Sequence, residues 1–411
     1  MISAQNPLQL LSGNKIFFSG LLLACLTACS PKVQQVKAPE EPKTVKEVKE
    51  EKKAEEKFTE ATISLLIPFK LNQINLKIAE KADLEKAAMG INFYQGVKLG
   101  IDSASSRGLN FKVNVFDSRD SNVQLEKILL KDSLEKSNLI IGPVYPDGLK
   151  YLKNYSVKNK LPIVSPLAAT QPSEFGNPNL ISIVNNINLH AEKIGDYISS
   201  KYSPSNTIVV LINPKKSDDE VLGGPLRDYF QKGKGKKFEF QEYGSVFSLE
   251  MKLQKNKKYV LLISSSEKPF VTASIDKLLK MKKAGLTVDL FGHPNWVRQN
   301  YSTDKLQALN TFVTSSYKVD YRNPAVIAFV RKYRALYGFE PDEYSFKGFD
   351  AGFYFGEMLT KYGADFAKHL PDEKYKGLQN SYTFIYDQKN GYINTSLMLL
   401  KYSNYALTLV K

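Results

Sequence analysis

Leu139-Ile140-Ile141-Gly142-Pro143-Val144-Tyr145-Pro146-Asp147-Gly148 sets a fully apolar triplet against a Gly-Pro break and the opening of an amphipathic stretch. A short apolar run closed by such a break reads as a buried strand, and Gly148 to Lys158 reads as the helix after it. The same alternation extends toward the N-terminus. Ile63-Ser64-Leu65-Leu66-Ile67 is a buried-strand pattern ended by Pro68, and Gly90 to Ser106 carries Phe93, Val97, Ile101 and Ala104 at helical spacing. Phe111 to Phe116 alternates as a strand ending at Asp117, and Val123 to Leu134 predicts a helix; on the other side Pro162-Ile163-Val164 predicts a strand. Strand, helix and strand in repetition imply a parallel sheet covered on both faces.

After about Asn185 the pattern restarts. Helix Leu189 to Tyr202 precedes strand Thr207 to Ile212, followed by helix Glu220 to Gln231, strand Tyr259 to Ile263, helix Val271 to Ala284 and strand Val288 to Phe291. From Phe312 the chain is expected to cross back, with helices at Pro324 to Leu336 and Ser345 to Tyr362. It closes on antiparallel strands at Tyr382 to Tyr386, Ser396 to Lys401 and Leu407 to Val410, the turn Asp387 to Gly391 joining the first two. The expected fold is therefore α/β: two doubly wound parallel-sheet lobes joined by a multi-strand hinge around a cleft. The boundaries follow as residues 58–186 with 315–375 for lobe one, and 187–314 with 376–411 for lobe two.

Composition narrows the function classes. Both cysteines, Cys25 and Cys29, precede the folded part, which has no thiol for a disulfide, a metal or nucleophilic attack. The three histidines, His190, His293 and His369, are far apart in sequence and show no metal-ligand spacing. No Gly-x-Ser-x-Gly elbow is present, so neither an enzyme nor a cofactor or metal is expected. The net charge of +15 is spread over helix faces and turns, as in Gly233-Lys234-Gly235-Lys236-Lys237 and Lys255-Asn256-Lys257-Lys258, without aromatic interleaving. That distribution fits a solvated surface, or attraction to an anionic envelope surface, rather than nucleic-acid binding.

Lys15 precedes an apolar run from Ile16 to Leu26 that is too short to span a bilayer, and Leu26-Thr27-Ala28-Cys29 closes it with small residues. This resembles the signal of bacterial lipoproteins, which implies cleavage of residues 1–28 and lipidation of Cys29. A plain anchor or secretory signal is the alternative, and Leu22-Leu23-Ala24-Cys25 is a poorer box. Pro31 to about Lys57 is Lys, Glu, Val and Pro with few large apolar side chains, the composition of a solvated tether. Ser30, where an acidic retention signal would hold the chain at the inner membrane, points to a periplasm-facing anchor in the outer membrane.

In open parallel sheets the crevice lies at the carboxyl ends of the strands. The loops leaving those ends are Pro68-Phe69-Lys70, Asp117-Ser118, Gly142 to Tyr145 and Ser165 to Thr170 in lobe one, and Asn213-Pro214, Ser264 to Glu267 and Gly292 to Trp296 in lobe two. With Tyr94-Gln95-Gly96-Val97-Lys98-Leu99-Gly100-Ile101-Asp102, Val115-Phe116-Asp117-Ser118, Ile140 to Pro143, Leu161 to Pro166 and Lys347-Gly348-Phe349-Asp350-Ala351 in this order, the chain resembles the type 1 periplasmic binding proteins of the branched-chain amino-acid transport group. The resemblance implies a small polar ligand, amino-acid-like or a related metabolite, delivered to an ABC permease or sensed. It places Ala168 and Thr170 where that group holds a ligand carboxylate. Tyr145-Pro146 stands where a serine is expected, and Pro294-Asn295 where an acidic residue faces an ammonium group; Glu267 is the possible substitute. An ordinary free amino acid is thereby disfavoured.

Tyr145, Ser165, Ala168, Thr170, Ser265, Ser266, Glu267, Asn295 and Trp296 are the candidate ligand residues. Each has a structural alternative: a helix cap for Ser165 and Thr170, a plug for Tyr145, core packing for Trp296, a solvated charge for Glu267, and loop fixation for the neighbouring Asp117. Val115 to Ser118 and Ile141 to Pro146 resemble equally the outer-membrane activators of peptidoglycan synthases. That likeness implies a ligand-free regulator acting through protein contacts.

Overall fold

The computed structural model describes residues 58–75, 77–254 and 256–410. The expected signal, the lipidation site Cys29 and the tether lie outside the described residues. The chain enters β1 (Glu60–Ile67), whose apolar run is buried, and continues through β2 (Asn110–Asp117), β3 (Leu139–Ile141), β4 (Ile163–Ser165) and β5 (Leu180–Ser182). All five are parallel, in the order β2-β1-β3-β4-β5. The sheet is covered on both sides. Ile63, Leu65 and Ile67 pack with Phe93 and Val97 from helix Lys81–Ser105, while Leu66, Ile140 and Ile163 pack with Leu125, Leu149 and Leu152.

The second lobe repeats the plan with β6 (Thr207–Ile212), β7 (Glu239–Tyr243), β8 (Lys258–Ile263), β9 (Thr287–Phe291) and β10 (Thr311–Ser315), parallel in the order β7-β6-β8-β9-β10. Helices Ile187–Lys201 and Ser217–Gln231 cover one face, and helix Lys268–Lys283 the other. β10 departs from expectation: Thr311 to Ser315 is a fully buried strand of the second sheet, and the chain crosses back only after it.

Returning to the first lobe, helices Pro324–Tyr337 and Glu343–Tyr362 lead into β11 (Lys374–Lys376), β12 (Ser381–Asp387) and β13 (Gly391–Asn394). β13 pairs parallel with β5, so residues 381–394 extend the first sheet. This corrects the assignment of everything after 376 to lobe two. The turn Asp387 to Gly391 joins β12 to β13 and not to the strand near 396–401, because Asp387 pairs with Gly391 and the register closes there. Only β14 (Met398–Ser403) and β15 (Ala406–Leu409) belong to the second sheet, antiparallel beyond β10.

Gly142 ends β3 at φ +100°, and a Cβ there would lie 2.2 Å from the Leu66 carbonyl oxygen. Glycine is thus dictated at the break by both backbone and space. Pro146 then opens helix Pro146–Asn159 at its first turn, where its missing N–H costs nothing.

Candidate functional site

In the described residues the chain passes between the lobes at 183–186, 316–323 and 395–397, and polar side chains knit these crossings together. Asn185 Nδ2 donates to the Asn394 carbonyl at 2.8 Å, and Asn394 Nδ2 to the Ile183 carbonyl at 2.9 Å. Tyr317 and Asn380 form an antiparallel bridge. The loop carrying Asn380 is gathered by Asp350, fully buried, whose carboxylate accepts the backbone N–H groups of Leu378, Gln379 and Asn380 at 2.7, 3.0 and 2.8 Å. Burial outweighs these bonds and pushes the Asp350 carboxyl up to about 6.

At the crossings lies a cavity of about 170 Å³ between the lobes, bounded by Leu167 of lobe one, Asn295 and Arg298 of lobe two, Asn185 and Tyr317 on crossings, and Lys347. Lys347, on helix Glu343–Tyr362, is only 7% exposed, and burial lowers its pKa. Its ammonium lies 3.4 Å from Glu343 and 4.6 Å from the centroid of the Tyr317 ring, so an acid and an aromatic face share its charge. The same Glu343 carboxylate takes Arg298 Nη2 at 2.8 Å and the Tyr317 hydroxyl at 3.0 Å, while Arg298 Nε donates to the Tyr317 oxygen at 2.7 Å.

Two buried histidines adjoin this cleft. His190 Nδ1 is 2.8 Å from Thr314 Oγ1, and burial, with a contribution from nearby His293, lowers it to about 3. His293 Nδ1 accepts the Asn295 backbone N–H at 3.0 Å; burial lowers this ring to about 4. Both are neutral near pH 7. Among the described residues, Ser165 Oγ, Ser182 Oγ, Asn185 Oδ1 and Asn380 Oδ1 are buried without a hydrogen-bond partner. Ser165 and Ser182 are register partners at the cleft ends of β4 and β5. Asn185 and Asn380 line the cavity, and unpaired buried polar atoms such as theirs are few in folded proteins.

Of the nine residues singled out in the sequence, Asn295 alone lines this cavity. Ala168 packs against the lobe-one core, and its neighbour Ala169 faces the cavity instead. Thr170 is half-buried in the following loop. Tyr145 precedes helix Pro146–Asn159 and lines a separate hollow of about 210 Å³ with Ser118 and Ser121. In lobe two, Ser265 Oγ accepts the Glu267 backbone N–H at 3.2 Å, the Ser266 carbonyl accepts the Tyr301 hydroxyl at 3.2 Å, and the exposed Glu267 carboxylate pairs with Lys216. Trp296 is a core residue: it is wholly buried, its indole N–H donates to the Ser265 carbonyl at 2.9 Å, and its ring meets Tyr301 edge-on. Asp117 fixes a loop, accepting from the backbone of Lys70, Leu71 and Arg119.

Sequence reasoning misses Arg298, Tyr317 and Glu343 as site residues, and Lys347 enters it only through the Lys347 to Ala351 pattern of the fold. The available signal was the i, i+4 pair Glu343 and Lys347 within a helix otherwise rich in aromatic residues.

No protein-family model matches the chain, and no curated protein matches it. Solved structures do. A putative branched-chain amino acid ABC transporter protein from Rhodospirillum rubrum aligns over 86% of this chain and 99% of its own, with a TM-score of 0.62 at 14% identity. An ABC transporter substrate-binding protein from Desulfitobacterium hafniense in complex with Leu aligns over 85% and 100%, with a TM-score of 0.53 at 18% identity. Full-length LpoA from Haemophilus influenzae aligns over 86% of this chain but 60% of its own, with a TM-score of 0.55 at 14% identity. The chain has the type 1 periplasmic binding fold, the fold of ABC transporter substrate-binding proteins.

Proposed function

We propose that this is a lipid-anchored, two-lobed binding protein of the cell envelope that takes a small polar ligand between its lobes, for delivery to an ABC permease or for sensing. The observation that carries the reading is the pair of unpartnered buried side-chain oxygens, Asn185 Oδ1 and Asn380 Oδ1, lining a cleft that also holds the buried cation Lys347. The fold supports it, since a chain crossing repeatedly between two sheet lobes is a hinge whose closure a shared ligand favours. The role is binding rather than catalysis. A D. hafniense protein of this fold is described in complex with Leu.

Anchoring rests on the residues before 58: lipid on Cys29, a spacer to Lys57, and the outer membrane as the destination. Metabolic labelling with a radioactive fatty acid should mark the wild type and not Cys29→Ala; a wild type that takes up no label refutes the lipid. For the ligand, a thermal-shift screen of polar metabolites should find at least one compound that raises Tm with saturable dependence. A screen without any such compound defeats the transport reading.

A second reading, a ligand-free lipoprotein regulating peptidoglycan synthesis by contact with a synthase, is favoured by the cleft itself. About 170 Å³ is below the roughly 300 to 1,000 Å³ of ordinary ligand pockets, and an ion pair already spans the lobes. Direct binding of the purified protein to a synthase, with no metabolite shift, would select this reading over the first.

A further inference from the structure

Glu343 occupies an unusual place in the cleft. It lies on helix Glu343–Tyr362, which packs in lobe one, yet its carboxylate reaches Arg298 on the turn Pro294–Arg298 of lobe two at 2.8 Å. The second carboxylate oxygen takes the hydroxyl of Tyr317, a residue on a crossing between the lobes. One turn further along the helix, Lys347 contributes its ammonium at 3.4 Å. Lobe one, lobe two and hinge therefore meet on a single acid. Both cations bounding the cavity, Arg298 and Lys347, are paired with this one acid, which offsets one of their two positive charges.

A charge bound in this way is strengthened by its surroundings. Lys347 is almost wholly buried between the Tyr317 and Tyr344 rings, at 4.6 and 5.5 Å from their centroids, so its pairing with Glu343 is little screened by solvent. The Arg298 guanidinium contacts both Glu343 and the Tyr317 oxygen, which fixes its orientation as well as its charge. A ligand carboxylate entering the cleft would find no unpaired cation. It would have to displace an acid that is covalently part of the lobe and already in position.

We propose that Glu343 acts as the cleft's own carboxylate, holding the two lobes together without a ligand and selecting against anionic ligands at Arg298 and Lys347. Deepening the binding reading above, and resting on it for the selectivity claim, this leaves neutral polar compounds as the ligand class.

The test uses the full chain and two independent removals of the bridge, Glu343→Gln and Arg298→Gln, with Arg322→Gln, which lies in an exposed ion pair with Asp320, as a charge control. Small-angle scattering without ligand should give wild type and Arg322→Gln the same compact radius of gyration, and both bridge variants a larger one. Equal radii for all four overturn the closure claim, whichever state they share; circular dichroism confirms that an expanded variant is still folded. Calorimetric titration with succinate and with uncharged succinamide tests selectivity. Glu343→Gln should bind succinate about tenfold more tightly than wild type, a change of about 1.4 kcal/mol, with succinamide unaltered. Equal succinate affinities, or no succinate binding by Glu343→Gln, overturn the selectivity claim. Failure of the metabolite screen with wild type would remove the transport reading while leaving the scattering result to stand on its own.

Discussion

Trp296 shows how one residue's direction decides its role. Its ring lies against Gly292, where a Cβ would come within 2.1 Å of indole Cε3, so the absent side chain makes room for the tryptophan inside the lobe-two core. Truncation there leaves a large cavity and an unpaired Ser265 carbonyl. Trp296→Ala should therefore cost about 3–5 kcal/mol in urea denaturation. Thr170→Ala, at a half-buried loop position, should change stability by less than about 0.5 kcal/mol, because no packed core or buried hydrogen bond is lost. The sequence located the loops that leave the strands but not which way their side chains turn. Ser265 folds back onto its own loop and Trp296 turns inward through the short Pro294–Arg298 turn, both consequences of local geometry that residue type alone does not carry. Arg298, Tyr317 and Glu343 were illegible for another reason. Their chemistry exists only where three distant segments meet.

At the scale of elements, the closest contact in the first lobe is the crossing of helices Lys81–Ser105 and Glu343–Tyr362. Gly96 and Gly100 on one face Gly348 and Gly352 on the other, and a Cβ on Gly348 would lie 2.1 Å from the Phe93 carbonyl oxygen while one on Gly96 would lie 2.0 Å from that of Ser345. Backbone atoms cannot yield as a flexible side chain does, so even one methyl group must separate the helices. Gly348→Val is expected to cost more than about 4 kcal/mol, or to abolish soluble expression, whereas Gly338→Asn at the exposed left-handed helix end should stay within about 1 kcal/mol. Chemical denaturation of both variants checks the contrast. These helices were legible from the spacing of Phe93, Val97 and Ile101, although the first begins at Lys81, nine residues before the expected start at Gly90. Short strands were harder. β10 reads Thr-Phe-Val-Thr-Ser, polar enough to pass for a crossing, and is buried because neighbouring strands and helices cover it; β13 is four residues long and gains its place by pairing with β5, more than 200 residues earlier.

For the whole molecule, the two-lobed plan was visible because the strand and helix pattern restarts near residue 187, but the balance of charges buried around the hinge was not. That balance fixes how stability responds to acid. His190 and His293 are held neutral down to about 3 and about 4, whereas in the unfolded chain each takes up a proton near 6.5, so lowering the pH favours unfolding. Asp350 works in the opposite sense. Its folded carboxyl is raised to about 6 from an ordinary 3.8, and it therefore binds its proton in the folded state first, recovering stability as the pH falls through the same interval. Two protons gained by the unfolded chain against one gained by the folded chain leave a net difference of about one. Stability should accordingly drop by about 1.4 kcal/mol between pH 6 and pH 5. Replacing one histidine removes one of the two opposing protons, so His190→Gln, which retains a hydrogen-bonding group for Thr314, should make stability nearly independent of pH across that unit. Urea denaturation of both proteins at the two pH values measures the difference directly. A wild type that grows more stable on acidification would mean that the hinge carboxylate, rather than the histidine pair, dominates the proton balance of the fold.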